Sequence, residues 1–272
     1  MSLLAKKKIL VTQQQQIISS ANVVEGGILP LPTNTLNILM AGQSNLISRN
    51  SYTDTLAEAP HLPYTGQIKN AKYRNVANSQ FENFTTSHNQ YLLDVNGDYG
   101  MGYAMGQKLL NARFCGAINE TKYGEGASAI GLNGGYGKWS PYGAGGDRYN
   151  GLKTIVTGKT YDWFIWYQGE TDTLNTTDAS EYGTNLQAFM DGLKTVATFT
   201  NILIVRLGDI PDFINSGTAG VRAGQDLFIT NNAEAQIYMP DVTGYTFSDT
   251  SHYGLDKQAE IGEGLATIIM NT

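Results

Sequence analysis

Five apolar runs of strand length recur along the chain: "LNILMAG" (36–42), "CGAINETKY" (115–123), "YDWFIWYQG" (161–169), "NILIVRLGD" (201–209) and "AQIYMPD" (235–241). Runs this short and this apolar predict buried strands of a parallel sheet. Helical spacing fills the intervals. Tyr182, Leu186, Phe189, Met190, Leu193 and Val196 fall on one face of a helix over 178–199, which opens with an acidic first turn. Helices are also predicted over 100–112, over 218–233 and from Leu255 to the end. Strands alternating with helices predict a mostly parallel sheet covered on both faces, and the expectation is a three-layer α/β/α sandwich around five parallel strands in flavodoxin-like order. Two long stretches, 50–99 and 131–160, break the alternation and read as loops, the second for its glycines. Loops of that length in a compact domain usually carry function. Residues 1–34, with a Gln run and Pro-spaced turns, read as an N-terminal extension or linker, and 35–272 as the domain.

Composition narrows the function classes. The chain of 272 residues has 18 basic and 24 acidic side chains, a net charge of −6, and its only basic cluster is "AKKK" at 5–8. Nucleic acid is therefore not an expected partner. Apolar runs fall short of a membrane span, and no apolar segment follows the N-terminal lysines as a cleavable signal would require. Cys115 is the single cysteine and reads as a small buried hydrophobe. The Tyr-, Asn- and Gly-rich, weakly charged composition suits an extracellular or virion-associated setting as well as a cytoplasmic one.

In an open α/β sheet, ligands bind beyond the C-terminal strand ends. The residues there are Gly42-Gln43-Ser44-Asn45 after the first run, Gln168-Gly169-Glu170-Thr171-Asp172 after the third, and Asp249 with His252 beyond the fifth. A serine becomes a nucleophile when a base takes its proton and a third group orients that base. Of three histidines, His61 sits between prolines and His88 in a polar loop. His252 precedes a helix and follows Asp249 at a spacing that can turn a carboxylate onto its ring. Plain helix capping would account for the same residue types. Leu46 occupies the place of the second glycine of a G-x-S-x-G elbow, and no G-x-G-x-x-G follows the first strand. His252 and Asp249 alone supply only two metal ligands, so no metal and no cofactor are expected.

Taken together and in this order, "GQSN" (42–45), "WYQGETD" (166–172) and "DTSH" (249–252) resemble the SGNH hydrolases. More narrowly they are similar to the sialate O-acetylesterase-like group and its acetylxylan-esterase relatives, across residues 36–270. The resemblance implies Ser44 as nucleophile, His252 as general base and Asp249 as the orienting carboxylate. It implies an oxyanion hole from the Ser44 N–H, the Gly126 N–H and the Gln168 amide. Ala127 stands where a second glycine is usual, which leaves Gly124 as an alternative to Gly126. Gln43, Asn45, Glu170 and Asp172 are expected to support these groups, the two acids by bonding the backbone of neighbouring loops.

The aromatic residues Tyr136, Trp139 and Tyr142, with Tyr149, are candidates for packing against a sugar ring, as are Tyr52 and Tyr64; anchoring the loop is the other use such rings have. The expected activity is removal of O-acetyl groups from a carbohydrate, a polysaccharide or a sialic-acid-type substrate, through an acetyl-enzyme. A non-catalytic carbohydrate-binding or phage-tail module and a lipid or thioester hydrolase are the rival readings.

Overall fold

From Ile38 to Ala41 the first strand has no polar position, and such a run is stable only where both faces are covered. In the computed structural model, which describes residues 32–47, 67–75, 80–85, 100–142, 146–240 and 250–272, it lies at the centre of the sheet. The strands in chain order are β1 (Thr35–Gly42), β2 (Gln67–Asn75), β3 (Gln80–Thr85), β4 (Ala117–Gly124), β5 (Thr160–Tyr167), β6 (Thr198–Val205) and β7 (Ala235–Tyr238). Five of them, β4-β1-β5-β6-β7, are parallel neighbours. Numbered among themselves they run 2-1-3-4-5, the flavodoxin-like order.

Among the described residues the sheet nevertheless has seven strands, not the five expected. β2 pairs parallel with β4, and β3 pairs antiparallel with β2 at the edge. Both come from the stretch 50–99 that reads as loop. Their sequences, "QIKNAKYRN" and "QFENFT", are too polar to resemble the core strands, as suits an edge exposed to water. Among their described side chains only Ala71 and Tyr73 are buried.

The described helices are α1 (Met101–Asn111), α2 (Asp147–Val156), α3 (Thr176–Lys194), α4 (Ser216–Asn231) and α5 (Leu255–Asn271). α2 corrects the second expectation of loop: the glycine-rich flank of 131–160 hides a helix whose buried residues, Tyr149, Leu152 and Val156, are spaced three and four apart. α1 packs on α5, while α2 and α4 pack on α3. Trp166 of β5 rests against Phe189 of α3, ring centroids 4.6 Å apart, and its indole N–H donates to Tyr182 Oη at 3.1 Å. α3 starts where the Asn175 side chain accepts from the N–H groups of Thr177 and Asp178, and α4 starts with a capping box between Asn215 and Thr218.

Residues Asn34–Thr272 form one compact unit. Tyr52, His61, Tyr64, His88, Asp249 and the expected extension as far as residue 31 lie outside the described residues. No described helix is long and apolar enough to cross a membrane.

Candidate active site

β1 ends at Gly42 because nothing larger fits. A Cβ there would meet Tyr167 O at 1.9 Å, and φ is +155°. The chain then turns: Leu46 and Ile47 N–H donate to Gln43 O, and Gln43 N–H donates to Tyr167 O at 3.1 Å. Ser44 sits in this turn, just beyond the C-terminal edge of the central strand. Glu125 N–H donates to Gly42 O at 3.1 Å, which draws the turn after β4, with Gly126, beside that of Ser44. Ala127 follows with φ +51°, a left-handed conformation that glycine adopts more easily. The strain falls at the position where the resemblance leads to the expectation of a second glycine.

Asn45 joins three parts of the rim. Its Nδ2 donates to Glu170 Oε1 at 3.0 Å, after β5, and to Ser251 O at 3.2 Å. Its Oδ1 accepts from Tyr253 N–H at 3.2 Å, and its backbone oxygen accepts from Gln258 Nε2 at 3.1 Å. The main chain on both sides of His252 is thus fastened to the residue next to Ser44. From the other side, Asp212 of the single turn Pro211–Phe213 holds the same segment. Its carboxylate accepts from Thr250 Oγ1 at 2.7 Å and from Ser251 Oγ. His252 is half-buried between these clamps. The structure therefore brings the Ser44 and His252 segments together, while Asp249 lies outside the described residues.

Beneath the rim lie two fully buried acids. Burial pushes the Glu170 carboxyl up to about 7; the Asn45 hydrogen bond opposes the rise and the nearby Asp172 adds to it. Burial likewise raises Asp172 to about 7, against hydrogen bonds from the Gln168 amide and the Gly131 and Ile130 N–H groups. Those two N–H groups reach Asp172 Oδ1 at 2.8 and 3.1 Å, and Asp178 accepts from Asn133 and Gly134 N–H at 2.9 and 2.7 Å. Asp172 thus bonds the backbone of a neighbouring loop. The Glu170 carboxyl accepts from the Asn45 side chain and from its own backbone N–H. With the Gln43 amide oriented by its hydrogen-bond network, its nitrogen donates to Ser128 O at 3.0 Å and to Glu170 Oε2 at 3.3 Å.

Residues 35–271 match the family described as carbohydrate esterase, sialic acid-specific acetylesterase. The chain belongs to that family. As a carbohydrate acetylesterase it is a carboxylic ester hydrolase. Its fold is also that of solved structures. A protein from Arabidopsis thaliana is 18% identical, with a TM-score of 0.65 over 89% of this chain and 99% of that one. A carbohydrate acetylesterase from Xanthomonas citri is 18% identical, with a TM-score of 0.57 over 85% of this chain and 55% of that one, so this chain spans about half its length. The structure of NanS is 11% identical, with a TM-score of 0.55 over 89% and 98% of the two chains. None of the curated proteins matches the sequence significantly.

Two readings of this acetylesterase's residues change. Trp139 is fully buried, with its indole N–H donating to Ser128 Oγ at 2.8 Å and its ring edge-on to Tyr123 and Trp166. It anchors the loop and cannot stack on a sugar; Tyr149 is buried as well. Tyr136 and Tyr142, 50% and 47% exposed, remain available for contact. The Gln168 amide donates to Ser128 O at 2.9 Å and to Asp172 Oδ2 at 2.6 Å, while its oxygen accepts from Tyr182 Oη at 3.1 Å. Both amide protons are occupied, so in this geometry Gln168 holds the 128–131 loop against β5 and has none to give an oxyanion.

Sequence reasoning missed Asp212 altogether, because "GDIPDF" carries no pattern that would tie it to a segment almost 40 residues on. Cys115 is buried and its thiol is pushed up to about 11, so it is no nucleophile.

Proposed function

We propose that this acetylesterase cleaves O-acetyl esters of a polysaccharide or sialic-acid-type carbohydrate through an acetyl-serine intermediate. The observation that carries the reading is Asn45, whose hydrogen bonds fix the backbone around His252 to the Ser44 turn. Ser44 Oγ attacks the acetyl carbonyl carbon as His252 takes its proton. The tetrahedral oxyanion is met by the N–H groups of Ser44 and Gly126, which lie on adjoining turns. Each such donor is worth about 3–4 kcal/mol to the barrier. Collapse expels the sugar hydroxyl, which recovers the proton from His252. Water, deprotonated by His252, then attacks the acetyl-enzyme and releases acetate. Asp249 is assigned to orient the imidazole, and Tyr136 and Tyr142 to contact the sugar.

The test is acetate release from acetylated polysaccharides and sialosides, alongside p-nitrophenyl acetate hydrolysis. Ser44→Ala should lower kcat by a factor of roughly 10⁴ or more with the fold intact. A variant as active as the parent would overturn the serine mechanism. Faster cleavage of octanoyl than of acetyl esters would point to the lipid or thioester reading instead.

A further inference from the structure

At the opposite end of the sheet, where β1, β4 and β5 begin, Asn37, Arg74, Asn119, Thr121, Lys159 and Tyr161 line a cavity of ≈ 230 Å³. Asn37 is five residues before Gly42 on β1, so the cavity lies about 16 Å from the catalytic rim by strand rise. It is a separate place, and the ester chemistry makes no use of it.

Two cations meet here on one neutral atom. Arg74 Nη1 donates to Ile155 O at 3.1 Å, and Lys159 Nζ donates to the same oxygen. Ile155 lies in the last turn of α2, whose carbonyl end attracts positive charge. One carbonyl still uses only one of Arg74's five N–H groups and one of Lys159's three. Among the described residues neither forms an ion pair. The adjacent Asp162 carboxylate is taken up by Asn37, whose backbone N–H donates to it at 2.7 Å. Burial and the neighbouring guanidinium both lower the Lys159 pKa, so the pair is electrostatically unsatisfied as it stands. An anion between them would relieve this.

The remaining lining chemistry is not that of a bare ion site. Amides and a hydroxyl, from Asn37, Asn119 and Thr121, can exchange hydrogen bonds with ring hydroxyls. Phe81 also lines the cavity while 45% exposed, and so offers an apolar face. We propose that this cavity binds an acidic sugar, its carboxylate held by Arg74 and Lys159 and its ring laid against Phe81.

The probe is D-glucuronate titrated into the 272-residue chain by calorimetry, with D-glucose and inorganic phosphate as controls. Glucuronate should bind at least ten-fold more tightly than either control. Arg74→Gln and Lys159→Gln should each weaken it by roughly ten-fold, the worth of a charged hydrogen bond. Arg74→Lys should retain most of the affinity, and Phe81→Ala should lose part of it. Hydrolysis of p-nitrophenyl acetate should be unaffected throughout. If Arg74→Gln fails to fold, Lys159→Gln decides by itself. The proposal is overturned if glucuronate binds no better than glucose, if removing either charge leaves affinity unchanged, or if phosphate binds equally well and Phe81→Ala has no effect.

Discussion

Asn45 stands next to Ser44 in sequence, yet its side chain spends its three hydrogen-bond contacts elsewhere on the rim: Glu170, Ser251 and Tyr253. Truncation to alanine would leave the Tyr253 N–H and a Glu170 oxygen unpaired in a dry environment. Each orphan costs about 1–3 kcal/mol, so Asn45→Ala should lose roughly 2–6 kcal/mol in urea unfolding. The activity effect should be distinct. Freed from its clamp, the His252 segment would hold the imidazole at the wrong distance more often, lowering kcat while KM stays close to the parent value. An Asn45→Ala enzyme with parental kcat would show that Asp212 suffices to place His252. Asn45→Asp should be worse than alanine for stability. It keeps the acceptor for Tyr253 but sets a second carboxyl against Glu170.

The elements carry the same logic over longer distances. The loop after β4 has few apolar anchors of its own besides Ile130 and Trp139 and is held by acids on the segment after β5 and on α3: Asp172 on Ile130 and Gly131, Asp178 on Asn133 and Gly134. Gln168 belongs to this set. Gln168→Ala should cost about 1–3 kcal/mol, because Asp172 and Ser128 O each lose a donor. Its kcat should fall far less than the 10²–10³ that follows loss of an oxyanion donor. A loss of that size with unchanged stability would return Gln168 to the oxyanion hole.

Much of this was readable from residue patterns. The central parallel strands announce themselves because both their faces are buried, and α3 because one of its faces is; β7, at the edge with only Ala235 buried, shows the pattern more weakly. The edge pair β2–β3 does not, since water on its open side permits lysines, arginine and asparagines along the strand. Nor does α2, whose flanking glycines speak louder than Tyr149, Leu152 and Val156. At the site, local motifs mark Ser44, Glu170, Asp172 and His252. The bond of buried Trp139 to Ser128 and the Gln168 proton given to Ser128 O reach residues 11 and 40 positions away, beyond any local pattern; only the second Gln168 proton stays local, on Asp172 four residues on.

For the molecule as a whole, two buried carboxyls raised to about 7 give stability a dependence on pH opposite to that of a protein held by surface ion pairs. In the unfolded chain Glu170 and Asp172 ionise near 4.5 and 3.8. Folded, they keep their protons until about 7. Between those limits the native state binds more protons than the unfolded state, so stability falls as pH rises through the window and levels off above it. Below about 4 both states are protonated and these groups contribute no slope. Each can contribute up to about 1.4 kcal/mol per pH unit inside the window. The ion pair of Glu234 with Lys194 acts in the other direction, because its carboxyl is held below the usual range, and its effect lies below pH 4.5. Urea midpoints measured from pH 5 to pH 8 should therefore decline. Glu170→Gln keeps an oxygen to accept from Asn45 and carries no charge at any pH. It should flatten the decline by about half and be the more stable protein at pH 8. Parallel curves for parent and variant would mean that Glu170 is already ionised at pH 5, paired more strongly by Asn45 and Gln43 than its burial opposes.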